Sequence, residues 1–128
     1  MKKHKGDFGE NAACLALERK GYTVITRNFR MKTGEIDIIA GNYERLAFIE
    51  VKTRKLFGLG RPADAVDFKK RNKIIKTAQI YLMNKTVDKQ IGFDIIEVVI
   101  TDSMNPDVIE INHFEDAFDA SGGRVLFS

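Results

Sequence analysis

Three side chains stand out for the chemistry their types and spacing allow: Asp37 in "GEIDIIA", and Glu50 and Lys52 as E-x-K in "FIEVKTR". Both segments alternate charged with β-branched residues, so they read as strands over 35–40 and 46–54, around a turn near Tyr43 and Glu44. A register that sets Ile38 opposite Ile49 also sets Asp37 opposite Glu50 and Glu35 opposite Lys52. Ile36, Ile38, Ile49 and Val51 then share an apolar face that packs on a helix, and Glu35, Asp37, Glu50 and Lys52 share the other. Like charges directly opposite on a sheet are destabilising. A hard divalent cation removes that repulsion, because Mg²⁺ is held by one or two carboxylates plus waters and phosphate oxygens. The plainer reading is an amphipathic hairpin with a solvated polar face, relieved by Lys52 alone. Two features favour the chemical reading: "AFIEV" is very apolar for a surface strand, and a basic block follows it at once.

That block spans residues 52–76, where nine Lys or Arg stand against Asp64 and Asp67. Residues 77–128 reverse the balance, with nine acidic and three basic side chains. A concentrated positive stretch behind paired carboxylates suits a phosphate backbone. On charge alone, a solvated lysine-rich helix face is the better reading. The chain has no tryptophan, and its aromatics do not interleave with the basic block, so base stacking is not indicated.

The elements that must position these groups follow from periodicity. Residues 7–20 read as a helix with Phe8, Ala12, Leu15 and Ala16 at helical spacing, stopped by Gly21. Residues 22–29 read as a strand, and 55–62, with two glycines and Pro62, as a mobile loop. A second helix is expected from Asp64 or Asp67, either able to cap it, to Met83, with Ile74, Ile75, Ala78 and Leu82 on its apolar face. Strands follow at 91–100 and 108–114 across a turn at 102–107. The first three strands should be antiparallel, and the helical crossover lets the strand after it join in parallel. The expected fold is α/β: a small mixed five-stranded sheet flanked by helices, one domain over 1–119, with a flexible Gly-rich tail over 120–128.

Of 128 residues, 44% are hydrophobic and 30% charged, enough for one core with a solvated surface. The basic start "MKKHK" resembles a signal peptide, but Asp7, Glu10, Glu18 and Arg19 interrupt any apolar segment, so a cytoplasmic location is expected. No stretch is apolar enough to span a bilayer. The single Cys14 excludes an intramolecular disulfide framework and a multi-cysteine zinc site, and reads as a small buried group on a helix. Asp94 interrupts an apolar strand and reads as a cap or a partner for a basic residue, with no catalytic role, while His4 and His113 read as surface or rim residues.

"GEIDIIA" followed by "FIEVKTR" resembles the PD-(D/E)xK nuclease superfamily. From "GDFGENAACLALERKGYTVITRNFR" through "AVDFKKRNKI" and "FDIIEV" to "HFEDAF", nearly the whole chain resembles the YraN-type family of predicted endonucleases, similar in fold to archaeal Holliday junction resolvases. Gly92 departs from that family's pattern, which has a basic residue before "FD". The resemblance implies a restriction-endonuclease-like core and Mg²⁺- or Mn²⁺-dependent hydrolysis of DNA phosphodiesters, with branched or structured DNA as substrate. It assigns the metal to Asp37 and Glu50, with Glu10 of "GENAA" completing the set, and the motif lysine to Lys52. Glu35 belongs to "GEID" without a metal role. Lys69, Lys70, Arg71, Lys73 and Lys76 would bind the nucleic-acid backbone, with Arg54 and Lys55 beside the cut. Two-fold cutting of a junction would want a homodimer. The alternatives are a nucleic-acid-binding accessory module that cuts nothing, and an RNA-processing nuclease with the same chemistry.

Overall fold

The computed structural model describes residues 5–56 and 66–122. Helix α1 (Lys5–Arg19) leads into strands β1 (Thr23–Met31), β2 (Gly34–Gly41) and β3 (Arg45–Lys55), then helix α2 (Phe68–Leu82) and strands β4 (Gln90–Ile100) and β5 (Val108–Phe118). The five strands lie side by side in chain order. All neighbours are antiparallel except β3 and β4, which run parallel because α2 carries the chain back between them. This is the expected mixed α/β sheet. Among the described residues, no helix is long and apolar enough to cross a membrane. The expected mobile loop over 55–62 lies outside the described residues from 57 on. The same holds for His4 and for the tail beyond 122. Residues 120–122 form a turn held to α2, where the Gly122 carbonyl accepts from Arg71 Nε at 2.5 Å.

Both faces of the sheet are covered, which corrects the expectation of one apolar and one polar face. On one side, α1 packs Ala13 and Leu17 against Ile38, Ala40, Ala47, Ile49, Ile96 and Val98. On the other, α2 packs Ile74, Ile75 and Ala78 against Ile36, Ile39, Phe48, Phe93 and Ile95. A strand buried on both faces must be apolar at nearly every position, which accounts for "FDIIEVVI" in β4. Asp67, not the undescribed Asp64, caps α2: its carboxylate accepts from the Lys70 N–H at 2.9 Å.

Two further expectations are corrected. The buried stripe of α1 is Ala13 and Leu17, with Glu10 in line, whereas Phe8 and Leu15 are exposed. The pair Ala12 and Ala16 lies at its margin, so helical spacing alone chose a face rotated from the true one. β5 also runs four residues past 114, because Asp116 takes a positive φ of 52° and shifts the register instead of ending the strand.

Candidate functional site

The hairpin register is as expected from Ile38–Ile49 to Gly41–Leu46, and there the β2–β3 ladder ends. Beyond it the strands diverge. Asp37 Oδ2 accepts the Val51 N–H at 2.8 Å, so a side chain takes the place of a ladder partner. Ile36 and Ile38, which should share a face, lie in opposite cores. On β1, Asn28 takes a φ of 54° between the pairs Arg27–Ile38 and Phe29–Ile36. Glu35 therefore does not meet Lys52: it pairs across β1 with Arg30.

The divergence brings Asp37, Glu50 and Lys52 together on the α2 side. Asp37 and Glu50 are both buried, and their carboxyls lie close enough for each to act on the other. Burial, then the hydrogen bond and charge of Glu50, push the Asp37 carboxyl up to about 7. Lys70 of α2 joins them, with Nζ 3.1 Å from Glu50 Oε2. Burial and the adjoining Lys70 amine lower the Lys52 pKa. Burial opposes the charge on Lys70, but its hydrogen bond with Lys52 and the charges of Glu50 and Asp37 outweigh it and raise the Lys70 pKa. The carboxylates open onto a cleft of about 130 Å³ lined by Gly34, Glu35, Asp37, Glu50, Lys70, Lys73 and Ile74.

Glu10 approaches from α1. The helix can lie this close because residue 9 is glycine: a Cβ there would sit 1.9 Å from Thr53 Oγ1. Glu10 is 8% exposed, and Arg27 Nη2 lies 3.4 Å from its Oε1. Burial and the charge of Asp37 raise its pKa. No three acidic, His or Cys side chains among the described residues converge as a metal cluster, so Glu10 stands near the Asp37–Glu50 pair without closing a three-ligand set. The pair itself is a donor set that suits a hard divalent cation: two buried carboxylates, mutually repelling, at an open cleft.

The expected phosphate-binding residues divide. Lys69, Lys73 and Lys76 are exposed at i, i+4 and i+7 of α2, with no ion pair among the described residues, and Lys73 borders the cleft. The others are engaged. Arg54 Nε lies 2.6 Å from buried Glu97, whose other oxygen accepts from Asn112. Arg71 holds the Val66 and Gly122 carbonyls. Lys55 pairs with Asp102 at 3.1 Å. Lys70 belongs inside the carboxylate site. Its signal was present in the sequence: Lys70 is in phase with buried Ile74 and Ala78 on α2. Arg27, which holds Glu10, left no such signal.

A second buried ionic cluster lies on the α1 side. Asp94 is fully buried and takes two bonds from Arg45, at 2.8 and 3.0 Å, one to His113 Nε2 at 2.8 Å, and one from the Asp116 N–H at 2.9 Å. Asp94 thus pairs as expected, but His113 is no rim residue, its side chain being 7% exposed. The Arg45 guanidinium crosses the position where a side chain at Gly92 would stand, so β3 supplies the basic group there.

Fold and site together define a small mixed α/β protein with a buried carboxylate pair and two lysines at a cleft beside the sheet. The chain belongs to the family described as "Uncharacterised protein family UPF0102", whose model matches residues 9–98. A UPF0102 protein of Clostridium botulinum is 47% identical over 97 residues, covering 74% of this chain and 79% of its own. UPF0102 proteins of Clostridium acetobutylicum and Caldanaerobacter subterraneus subsp. tengcongensis are 40% and 42% identical over 119 and 121 residues, each matched over 96% of its length.

Proposed function

We propose that the chain is a metal-dependent endonuclease of the PD-(D/E)xK type that hydrolyses DNA phosphodiesters, with branched or structured DNA as its substrate and the YraN-type endonucleases as its functional class. The observation that carries this reading is the buried Asp37–Glu50 pair with Lys52 beside it, at a cleft bordered by Lys73, which has no ion pair among the described residues. A buried carboxylate pair costs stability and is retained where charge must be managed.

A divalent ion held by Asp37 and Glu50 would activate a phosphoryl oxygen and acidify a bound water. The Val51 N–H fixes the Asp37 carboxylate in orientation. Lys52, with its pKa lowered, is suited to orient the attacking water and to stabilise charge on the phosphoryl oxygens. Lys69, Lys73 and Lys76 hold the backbone by charge without reading bases. Glu10 shapes the field at Asp37 from the α1 side.

The test is cleavage of labelled four-way, flapped, single-stranded and linear DNA, and of RNA, with Mg²⁺, Mn²⁺ or chelator. Wild type is compared with Asp37→Ala and Lys52→Ala. Metal-dependent cutting lost in both variants is expected. Cutting that survives in them assigns it to another site or a contaminant. Salt-sensitive binding with no cutting favours the accessory module.

A further inference from the structure

Lys70 is oddly placed for a lysine. It lies in the first turn of α2, three residues past the Asp67 cap, where the helix dipole is positive and opposes a cation. No acidic residue of that turn offsets it. What holds its ammonium is Glu50, at 3.1 Å, on a different element. Glu50 has 6% of its side chain exposed and Lys70 40%, so the carboxylate is sequestered while the ammonium faces the cleft. Lys70 thus places its charge on the Glu50 oxygen a divalent ion would need, with Lys52 as the second cation of the site. The cleft that Lys70 lines continues to Lys73, one turn along, in the middle of the exposed lysine face.

We propose that Lys70 is a tethered counter-ion that occupies the divalent-cation position on Glu50 and is displaced by the metal toward the nucleic-acid backbone. This deepens the nuclease reading and rests on its assignment of Asp37 and Glu50 to the metal. A tethered ammonium carries half the charge of a divalent ion, enough to hold Glu50 in the metal-free site and too little to outcompete a divalent ion at sufficient concentration. Metal loading then frees a cation at the place where a phosphate arrives. Metal and DNA binding become linked through one side chain, by displacement.

The experiment is calorimetric titration of the full chain with Mn²⁺ alone, in wild type, Lys70→Met, Lys70→Arg and Lys73→Met. Removing the competitor should tighten Mn²⁺ binding roughly five- to tenfold in Lys70→Met, as expected for a half-buried ion pair. Lys70→Arg, which keeps the competing charge, should bind like wild type. Lys73→Met removes the same charge from the same cleft without touching Glu50, and should change Mn²⁺ affinity by less than about twofold. Equal gains in Lys70→Met and Lys73→Met would overturn the proposal, since a general field would then explain both. Mn²⁺ binding unchanged in Lys70→Met would overturn it and leave the metal pair standing. No Mn²⁺ binding in any variant would overturn the metal pair as well. In Ca²⁺, the salt slope of DNA binding should steepen by roughly one phosphate contact over chelator in wild type and not in Lys70→Met. An equal steepening in both would overturn the displacement toward DNA.

Discussion

Two of the buried ionic clusters, on opposite faces of the sheet, are built on opposite principles. Around Asp94, one carboxylate meets the two arms of Arg45, His113 and a backbone N–H. Burial alone would raise its pKa, but the bonds from His113, Arg45 and Asp116 outweigh it and hold Asp94 below the ordinary value. Around Asp37, two carboxylates share one ion-paired lysine, and the Asp37 pKa rises to about 7. The first cluster is complete within the chain. The second sets two carboxyls side by side and leaves them open to a cleft, the arrangement in which perturbed carboxyls cluster at functional sites.

Substitution should separate the two most sharply. Asp94→Ala leaves Arg45 only the more exposed Asp116 and Glu115 as ionic partners and His113 without its carboxylate, and should destabilise by about 3 kcal/mol. Asp37→Asn relieves repulsion and should stabilise the metal-free protein by on the order of 1–3 kcal/mol above pH 7. Urea denaturation measures both, and destabilisation by Asp37→Asn at pH 8 would erase the contrast.

Acidity should bend the two contributions in opposite directions. Between pH 4 and 7 folded Asp37 keeps a proton that the unfolded chain has released, given its rise from 3.8 to about 7. Its contribution to stability therefore falls as pH rises across that window, and the advantage of Asp37→Asn should grow across it and level off above. Asp94 is lowered from 3.8, so the stability it provides is present above pH 4 and lost as pH falls through its folded value. Stability–pH curves of wild type and both variants check this. A flat difference between wild type and Asp37→Asn from pH 4 to 8 would remove the raised carboxyl.

The basic residues sharpen the comparison with smaller effects. Arg54→Ala deprives buried Glu97 of its charged partner and should cost about 1–3 kcal/mol while leaving the salt slope of DNA binding unchanged. Lys69→Ala, Lys73→Ala and Lys76→Ala should do the reverse, each lowering that slope by roughly 0.9 with stability changed by less than about 0.5 kcal/mol. Fluorescence anisotropy across a salt series, paired with urea melts, distinguishes the two groups.

The sequence by itself determined the order of elements, the mixed sheet, the Ile38–Ile49 register and the membership of Asp37, Glu50 and Lys52 in one site. Those features are local: strand period, cap chemistry and the short turn near Tyr43 and Glu44 act over a few residues. It did not determine what pairs with what over long separations. Arg54 and Lys70 both looked like free cations, and only the packing of β4 and α2 against β3 set buried Glu97 beside one and made the other a partner of Glu50. His113 looked exposed because its partner Asp94 lies on the neighbouring strand. The end of the β2–β3 ladder at Asp37 was equally hidden, since it depends on a carboxylate winning a backbone N–H from across the hairpin. Charge type is written in the chain, but burial and counter-charge come from elements far apart in it, and those decide whether a charged group binds, reacts or braces.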